Sequence, residues 1–370
     1  MRTSVFMNQD TRNIRLLNDS LKIFFKDALK ITLKNPSQAW AFLQTINWLR
    51  KSAKIRSMWR LGGVHVPPIV LFSITNQCNL ECKGCYAQSF HPSSDEELST
   101  EKLEAIIEEA KDLGVSFFII TGGEPFLRPE ILEITKNFPE VVFLVFTNGT
   151  LIDDGMIRRF RRQKNVVPLI SLEGNAEHTD SRRGEGTYRS VHQIMGKMQR
   201  NHVFFGTSLT LTRLNYSTLT DDAYIHHFVK KGCRFFLFLD YTPAQEKTED
   251  WVLTDTQRER VPSLIKNFRR KFPALFIGVP WDEFDVGGCL SSGRGFIHIN
   301  ARGDVEPCPF APFSDTNLNE LSLKEALRSE FLKKLRELPE LSRYTGSGCA
   351  LWKNREKVRM ILEETGLEGP

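Results

Sequence analysis

Six short apolar segments, most of them separated by helical stretches, dominate the middle of the chain. Candidate strands fall at residues 69–74, 116–120, 141–146, 167–172, 203–211 and 234–240. Helical patterns fill the intervals, for example at 101–113, 129–138, 188–200 and 218–231. Units of roughly 30–40 residues with such brief apolar runs call for a parallel sheet, because parallel neighbours need a crossover of a dozen or more residues. Two closures stay open at this point, a doubly wound sheet or a partial barrel. In either, chemistry gathers at the C-terminal ends of the strands.

The flanks read differently. Residues 1–18 look like a frayed polar start. Across 20–34 an apolar face (Leu21, Phe24, Phe25, Ala28, Leu29) opposes a stripe of Lys22, Lys26, Lys30 and Lys34, a helical pattern that Pro36 ends. A second helix is expected over 37–60, with Ala39, Phe42, Leu43, Ile46 and Leu49 as its stripe and Gly62-Gly63 as its stop. Pro67-Pro68 then marks a boundary. Charge follows the same division: residues 1–66 carry +9 and the remainder −4, within a total of +5. Basic helices bearing Trp40, Trp48 and Trp59 suit a membrane interface, or else they pack on the sheet and turn their lysines to water. No nucleic-acid-binding motif accompanies the charge. Beyond Asp240 come a helix at 255–271, an apolar run at 276–280, a hairpin about Ala301-Arg302-Gly303, and helices at 323–338 and 352–365. Three domains are expected: a helical arm (1–66), the strand–helix body (67–274) and a small C-terminal module (275–370). No apolar run approaches the ~20 residues of a membrane span, and the N-terminus lacks an export signal. A soluble cytoplasmic protein is expected, at the inner membrane face if the arm binds lipid.

Seven cysteines in such a chain argue against a disulfide framework and for metal or redox use. Cys78, Cys82 and Cys85 stand as C-x3-C-x2-C just past the first strand. Three thiolates on one loop can converge on one metal centre. A [4Fe–4S] cluster normally takes four cysteines, so three leave one iron open to another ligand. Structural zinc, with His91 as fourth ligand, is the alternative. Thr121-Gly122-Gly123-Glu124-Pro125 ends the second strand; its glycines allow close backbone approach to a ligand, and Glu124 offers an acceptor for an ammonium group.

In combination these motifs resemble the radical S-adenosylmethionine superfamily, over at least residues 67–245. The resemblance implies an α/β fold, a partial (β/α)6 TIM-type barrel. It implies that Cys78, Cys82 and Cys85 ligate a [4Fe–4S] cluster, and that Gly122, Gly123 and Glu124 hold the methionyl amine of S-adenosylmethionine. The residue before the last cysteine is usually aromatic and lies by the adenine; here it is Gly84, followed by Tyr86. Thr147-Asn148-Gly149 is similar to the superfamily's TNG, whose Thr and Asn face the active site. Ser171-Leu172-Glu173-Gly174 is similar to SLDG, which carries over Ser171 near the ligand's ribose or carboxylate, with Glu173 in place of Asp. Residues 178–188 look like a segment of the family's peptide-modifying members. Thr210, Thr212 and Arg213 end the fifth strand, and Asp240 and Tyr241 end the sixth; position makes Thr210, Arg213, Asp240 and Tyr241 the candidates for catalysis.

Cys289, Gly303 and Cys308 fit C-x13-G-x4-C, with Cys349 farther on. This resembles the start of the SPASM motif, in its shortened "twitch" form, and implies one auxiliary [4Fe–4S] cluster on those three cysteines. Ordinary buried thiols are the alternative. Cys233 has no partner in sequence and reads as structural. The reaction implied is reductive cleavage of S-adenosylmethionine to a 5′-deoxyadenosyl radical that abstracts hydrogen from a substrate, fed by a ferredoxin or flavodoxin. A peptide or protein is the leading substrate class, ahead of a membrane lipid or isoprenoid and of a small metabolite. A cluster- or zinc-binding regulatory module is the non-enzyme alternative, which the placement of TGGEP disfavours.

Overall fold

The computed structural model describes residues 9–33, 35–92, 96–341 and 349–366. Seven strands run parallel in chain order: β1 (Ile69–Thr75), β2 (Phe117–Gly122), β3 (Val142–Thr147), β4 (Val166–Leu172), β5 (Gly206–Leu211), β6 (Phe235–Asp240) and β7 (Leu275–Val279). On the other side of β1 lies β8 (Phe296–Ile299), also parallel, and β9 (Val305–Glu306) pairs with β8 antiparallel. The complete order is β7-β6-β5-β4-β3-β2-β1-β8-β9. This is the partial TIM-type α/β fold, with more strands than the six expected. All three additions, β7, β8 and β9, come from beyond Asp240, so the C-terminal stretch supplies both edges of the sheet.

Every residue of β4 is buried, as a strand covered on both faces must be. One face meets the surrounding helices: Val70, Phe72, Ile74, Phe118, Ile120, Phe143 and Val145 join a single apolar core with helices such as Thr100–Leu113 and Thr187–Arg200. The other face carries a second core near the strand beginnings, made by Phe117, Val142, Val167, Leu169, Phe235, Leu237 and Leu275.

That second core is closed by α1 (Gln9–Thr32) and α2 (Pro36–Leu61). Phe25 stacks on Phe117 at 5.3 Å between ring centroids, Phe24 meets Phe235 at 5.5 Å and Phe42 meets Phe204 at 5.3 Å. The apolar stripe read from the sequence therefore forms the floor of the barrel. Polar ties fix it. Arg56, buried on α2, donates to the carbonyl of Gly114 at 2.5 Å, to Ser116 and to Asn18 Oδ1, and Ser52 and Ser116 share a 2.6 Å hydroxyl contact. Lys22, Lys26 and Lys30 face solvent; Lys34 lies outside the described residues. The tryptophans form no common stripe: Trp40 is exposed, whereas Trp48 and Trp59 are half-buried, the latter beneath the Lys324 ammonium at 5.1 Å. The expected frayed start is already helical from Gln9, because α1 continues upstream of its apolar face.

Phe25→Ala removes the ring that stacks on β2 and should cost roughly 3–5 kcal/mol. A clear fall in thermal midpoint is expected by scanning calorimetry; an unchanged midpoint would detach the floor from the barrel.

Candidate active site

The loop bearing Cys78, Cys82 and Cys85 leaves the end of β1 and is laced to the ends of β2, β3 and β4. Two backbone bonds start the lacing: Gly123 N–H donates to the Thr75 carbonyl and Glu124 N–H to that of Gln77, each at 2.8 Å. Both glycines are required here. A Cβ on Gly122 would lie 2.0 Å from the Thr75 carbonyl oxygen, and one on Gly123 would lie 2.0 Å from that of Gln77. The close approach these glycines permit is thus chain against chain.

Glu124 is 1% exposed and its carboxylate is engaged. Oε1 accepts from the Thr147 hydroxyl at 2.8 Å and from Phe126 N–H at 3.1 Å, while Oε2 accepts from Asn148 N–H at 2.7 Å. Burial raises its pKa against the pull of these donors. The side chain thereby joins the end of β2 to the end of β3. Asn148 continues the chain of contacts, donating to Asn79 Oδ1 in the cysteine loop at 2.8 Å. On the far side Arg128 donates to the carbonyls of Ile74 and Leu98, and Glu97 accepts from Thr75 and from Asn76 N–H.

The end of β4 holds the second half of the loop. Glu173 is buried and accepts from both neighbouring arginines, Arg182 Nη1 at 2.6 Å and Arg183 Nε at 2.8 Å. Arg182 also accepts at its carbonyl from Lys83 N–H and donates through Nε to the Lys83 carbonyl. Two guanidinium groups consequently stand beside the thiols. Burial pushes the Cys82 thiol up, and Arg183 and Arg182 pull it back towards the thiolate that binds metal. Burial also raises Cys78.

Gly84 adopts φ +66°, and a Cβ there would meet the Tyr241 hydroxyl at 2.3 Å and the Trp251 ring at 3.1 Å. The segment after β6 therefore folds over the loop, and Gln245 Oε1 accepts from Gly84 N–H at 2.5 Å. The Arg182 guanidinium sits 5.6 Å from the Tyr241 ring centroid. Tyr86 is 3.4 Å from the Thr121 hydroxyl and packs on Phe310 with centroids 4.9 Å apart. Ser171 lies on β4 with its hydroxyl 3.3 Å from Ser208.

The four candidates for catalysis part company. Tyr241 covers the cysteine loop. Asp240 is buried in an ion pair with Arg258 at 2.9 Å, on the helix Asp255–Lys271, and so serves to hold that helix. Arg213 is exposed and donates to the Val252 carbonyl at 3.3 Å. Thr210 is half-buried and its carbonyl accepts from Asn215. Arg182, Arg183, Gln245 and Glu97 were missed as parts of the site. The Arg182-Arg183 pair was visible in sequence, but its acidic partner nine residues upstream was the signal that mattered.

All seven cysteines are free thiols. Cys349 interacts with both Cys308 and Cys289, which brings the three C-terminal cysteines into one electrostatic neighbourhood. Burial pushes Cys289 up to about 12, with Glu283 adding to the shift. Cys233 is buried, donates to the Phe235 carbonyl, and is likewise pushed up to about 12. His91, the alternative fourth zinc ligand, turns away from the cysteines towards β8 and β9. Within each triad the thiols act electrostatically on one another, and thiolates are the donors that iron–sulfur clusters take.

The sequence matches the model of the Radical SAM superfamily over residues 72–223. It is 24% identical to the AdoMet-dependent heme synthase of Methanosarcina barkeri over 76% of this chain and 88% of that protein. Identity is 26% to the antilisterial bacteriocin subtilosin biosynthesis protein AlbA of Bacillus subtilis, over 73% of this chain and 61% of that one. Streptococcus suis SuiB, solved with its precursor peptide SuiA, superposes with a TM-score of 0.61 at 17% identity, covering 80% of this chain and 72% of SuiB, a likeness of fold.

Gly123→Ala places a methyl against the Gln77 carbonyl and should cost roughly 1–3 kcal/mol. Iron retained after anaerobic reconstitution, measured per chain, should fall well below wild type; full retention would contradict the lacing described.

Proposed function

On the premise that this chain is a radical SAM superfamily enzyme, we propose that it modifies a peptide or protein and carries two clusters. The observation behind the two-cluster reading is the pair of thiol triads, Cys78/Cys82/Cys85 at the end of β1 and Cys289/Cys308/Cys349 around the hairpin after β8. Bound together, a [4Fe–4S] cluster and S-adenosylmethionine supply one-electron cleavage of a sulfur–carbon bond and a carbon radical able to take hydrogen from substrate. The chain's own residues do the rest. Glu124 and Glu173 hold the ligand loop in register with β3 and β4. Arg182 and Arg183 place positive charge beside the thiolates. Tyr241, Trp251 and Gln245 cover Gly84, and α1 and α2 seal the barrel from below, so substrate approaches across the C-terminal strand ends. Ser171, Thr147 and Asn148 stand at those ends as binding groups for S-adenosylmethionine.

Likeness to the bacteriocin biosynthesis protein AlbA supports the peptide reading. A tetrapyrrole is the second reading, favoured by the heme synthase, which this chain matches over most of that protein's length. A ferredoxin or flavodoxin would supply the electron. With the six-cysteine reading, anaerobically reconstituted protein holds about eight irons per chain. Cys308→Ala should hold about four and still form 5′-deoxyadenosine, whereas Cys82→Ala should form none. Product mass spectra with a candidate precursor peptide or with an iron porphyrin precursor of heme separate the substrate readings; 5′-deoxyadenosine from Cys82→Ala would overturn the assignment of the loop.

Peripheral contact with anionic lipid belongs to the same proposal. Ile23 on α1, Leu33 just past its end, and Trp40 and Leu43 on α2 are exposed, as are Lys22, Lys26 and Lys30. No helix among the described residues is long and apolar enough to cross a membrane. The full chain should float with phosphatidylglycerol vesicles and stay behind with phosphatidylcholine; sedimentation with both would remove the membrane contact.

A further inference from the structure

A buried polar cluster lies apart from both thiol triads, where the segment after the cysteine loop meets β8 and β9. His298 projects from β8, Glu306 from β9, and His91 follows the short helix Tyr86–Phe90. All three are buried, and their ligand atoms lie within 4.8 Å of one another. Glu306 Oε2 is 2.7 Å from His298 Nδ1 and 3.5 Å from His91 Nε2.

We propose that His91, His298 and Glu306 form a mononuclear site for a first-row divalent ion, zinc or ferrous iron. Tetrahedral donors about 2.0–2.1 Å from such an ion stand about 3.3 Å apart, a spacing that the 2.7 Å and 3.5 Å separations bracket. Two imidazoles and one carboxylate are a donor set for zinc and for non-haem iron alike.

Two further observations support an ion over a plain hydrogen-bonded cluster. First, His91 is 8% exposed, yet its Nε2 has no hydrogen bond and faces Glu306. Leaving such an atom unsatisfied costs about 1–3 kcal/mol, and a metal bond would satisfy it. Secondly, the outer partners of a metal site are in place: His298 Nε2 meets the Ser73 hydroxyl at 2.8 Å, and Asn300 Nδ2 donates to the second oxygen of Glu306 at 2.8 Å. Ligating imidazoles and carboxylates are held from behind in this way. The ion would staple the chain leaving the Cys78–Cys85 loop to the strand that leads into Cys308.

The test uses full-length, cluster-reconstituted protein, equilibrated with zinc sulfate and desalted. Elemental analysis should find about one zinc per chain. Absorption at the zinc edge should show nitrogen and oxygen donors near 2.0–2.1 Å and no sulfur near 2.3 Å. His91→Ala should lose the zinc while keeping the cluster absorbance. Ser73→Ala, which leaves all three donors intact, should weaken zinc binding by roughly 10–100-fold. No zinc above background in wild type, a sulfur-ligated zinc, or wild-type occupancy in His91→Ala would each overturn the site. Should His91→Ala lose its clusters, unchanged zinc affinity in Ser73→Ala would overturn it instead. Formation of 5′-deoxyadenosine is read separately on the same samples, so failure here and failure of the radical reading are distinguishable.

Discussion

The carboxylate of Glu124 ties the end of one strand to the end of the next, and the position of the ligand loop depends on it. One oxygen takes the Thr147 hydroxyl, the other takes Asn148 N–H, and the residue's own N–H reaches back to Gln77. Asn148 then reaches into the loop at Asn79. A buried carboxylate with three donors is held far more firmly than an exposed one, and here it gives a short cysteine loop the rigidity of the sheet. Metal ligands need that rigidity, because a loop free to wander would present its thiols at random.

Electrostatics complete what the lacing begins. Arg182 and Arg183 are both drawn to Glu173, and one of them also grips the loop at Lys83. A cluster on these three thiolates would add negative charge to a partly buried place, and the two guanidinium groups would offset it there. Tyr86 then links the two halves of the molecule, since it leaves the loop one residue after Cys85 and packs on Phe310, two residues beyond Cys308. The hairpin that leads into Cys308 pairs through β8 with β1, so Cys308 and the Cys78–Cys85 loop are tied to one sheet.

Much of this was legible in the sequence. The repeating strands and helices fix the parallel sheet, and spacing alone groups Cys78, Cys82 and Cys85. What stayed hidden depends on contacts between distant segments. β7 and β8 are short runs whose neighbours, β6 and β1, cannot be read from local pattern. An apolar face such as Phe24, Phe25 and Ala28 looks the same whether it will meet lipid or a barrel floor. Nothing local shows that β3 ends beside Glu124, so its Thr147 and Asn148 donors cannot be read from the sequence. Asp240 and Tyr241 are neighbours in sequence, but alternation along the chain sends one to Arg258 and the other over Gly84. His91, His298 and Glu306 meet across more than two hundred residues.

The claim on which the account rests is that the loop at the end of β1 holds a cluster with one iron left open. Electron paramagnetic resonance of the dithionite-reduced protein, before and after addition of S-adenosylmethionine, tests it most directly. A variant lacking Cys289, Cys308 and Cys349 isolates the signal of that one cluster. Its g-values should shift when S-adenosylmethionine is added, as binding to the open iron requires. A spectrum that stays the same at saturating S-adenosylmethionine would contradict the account.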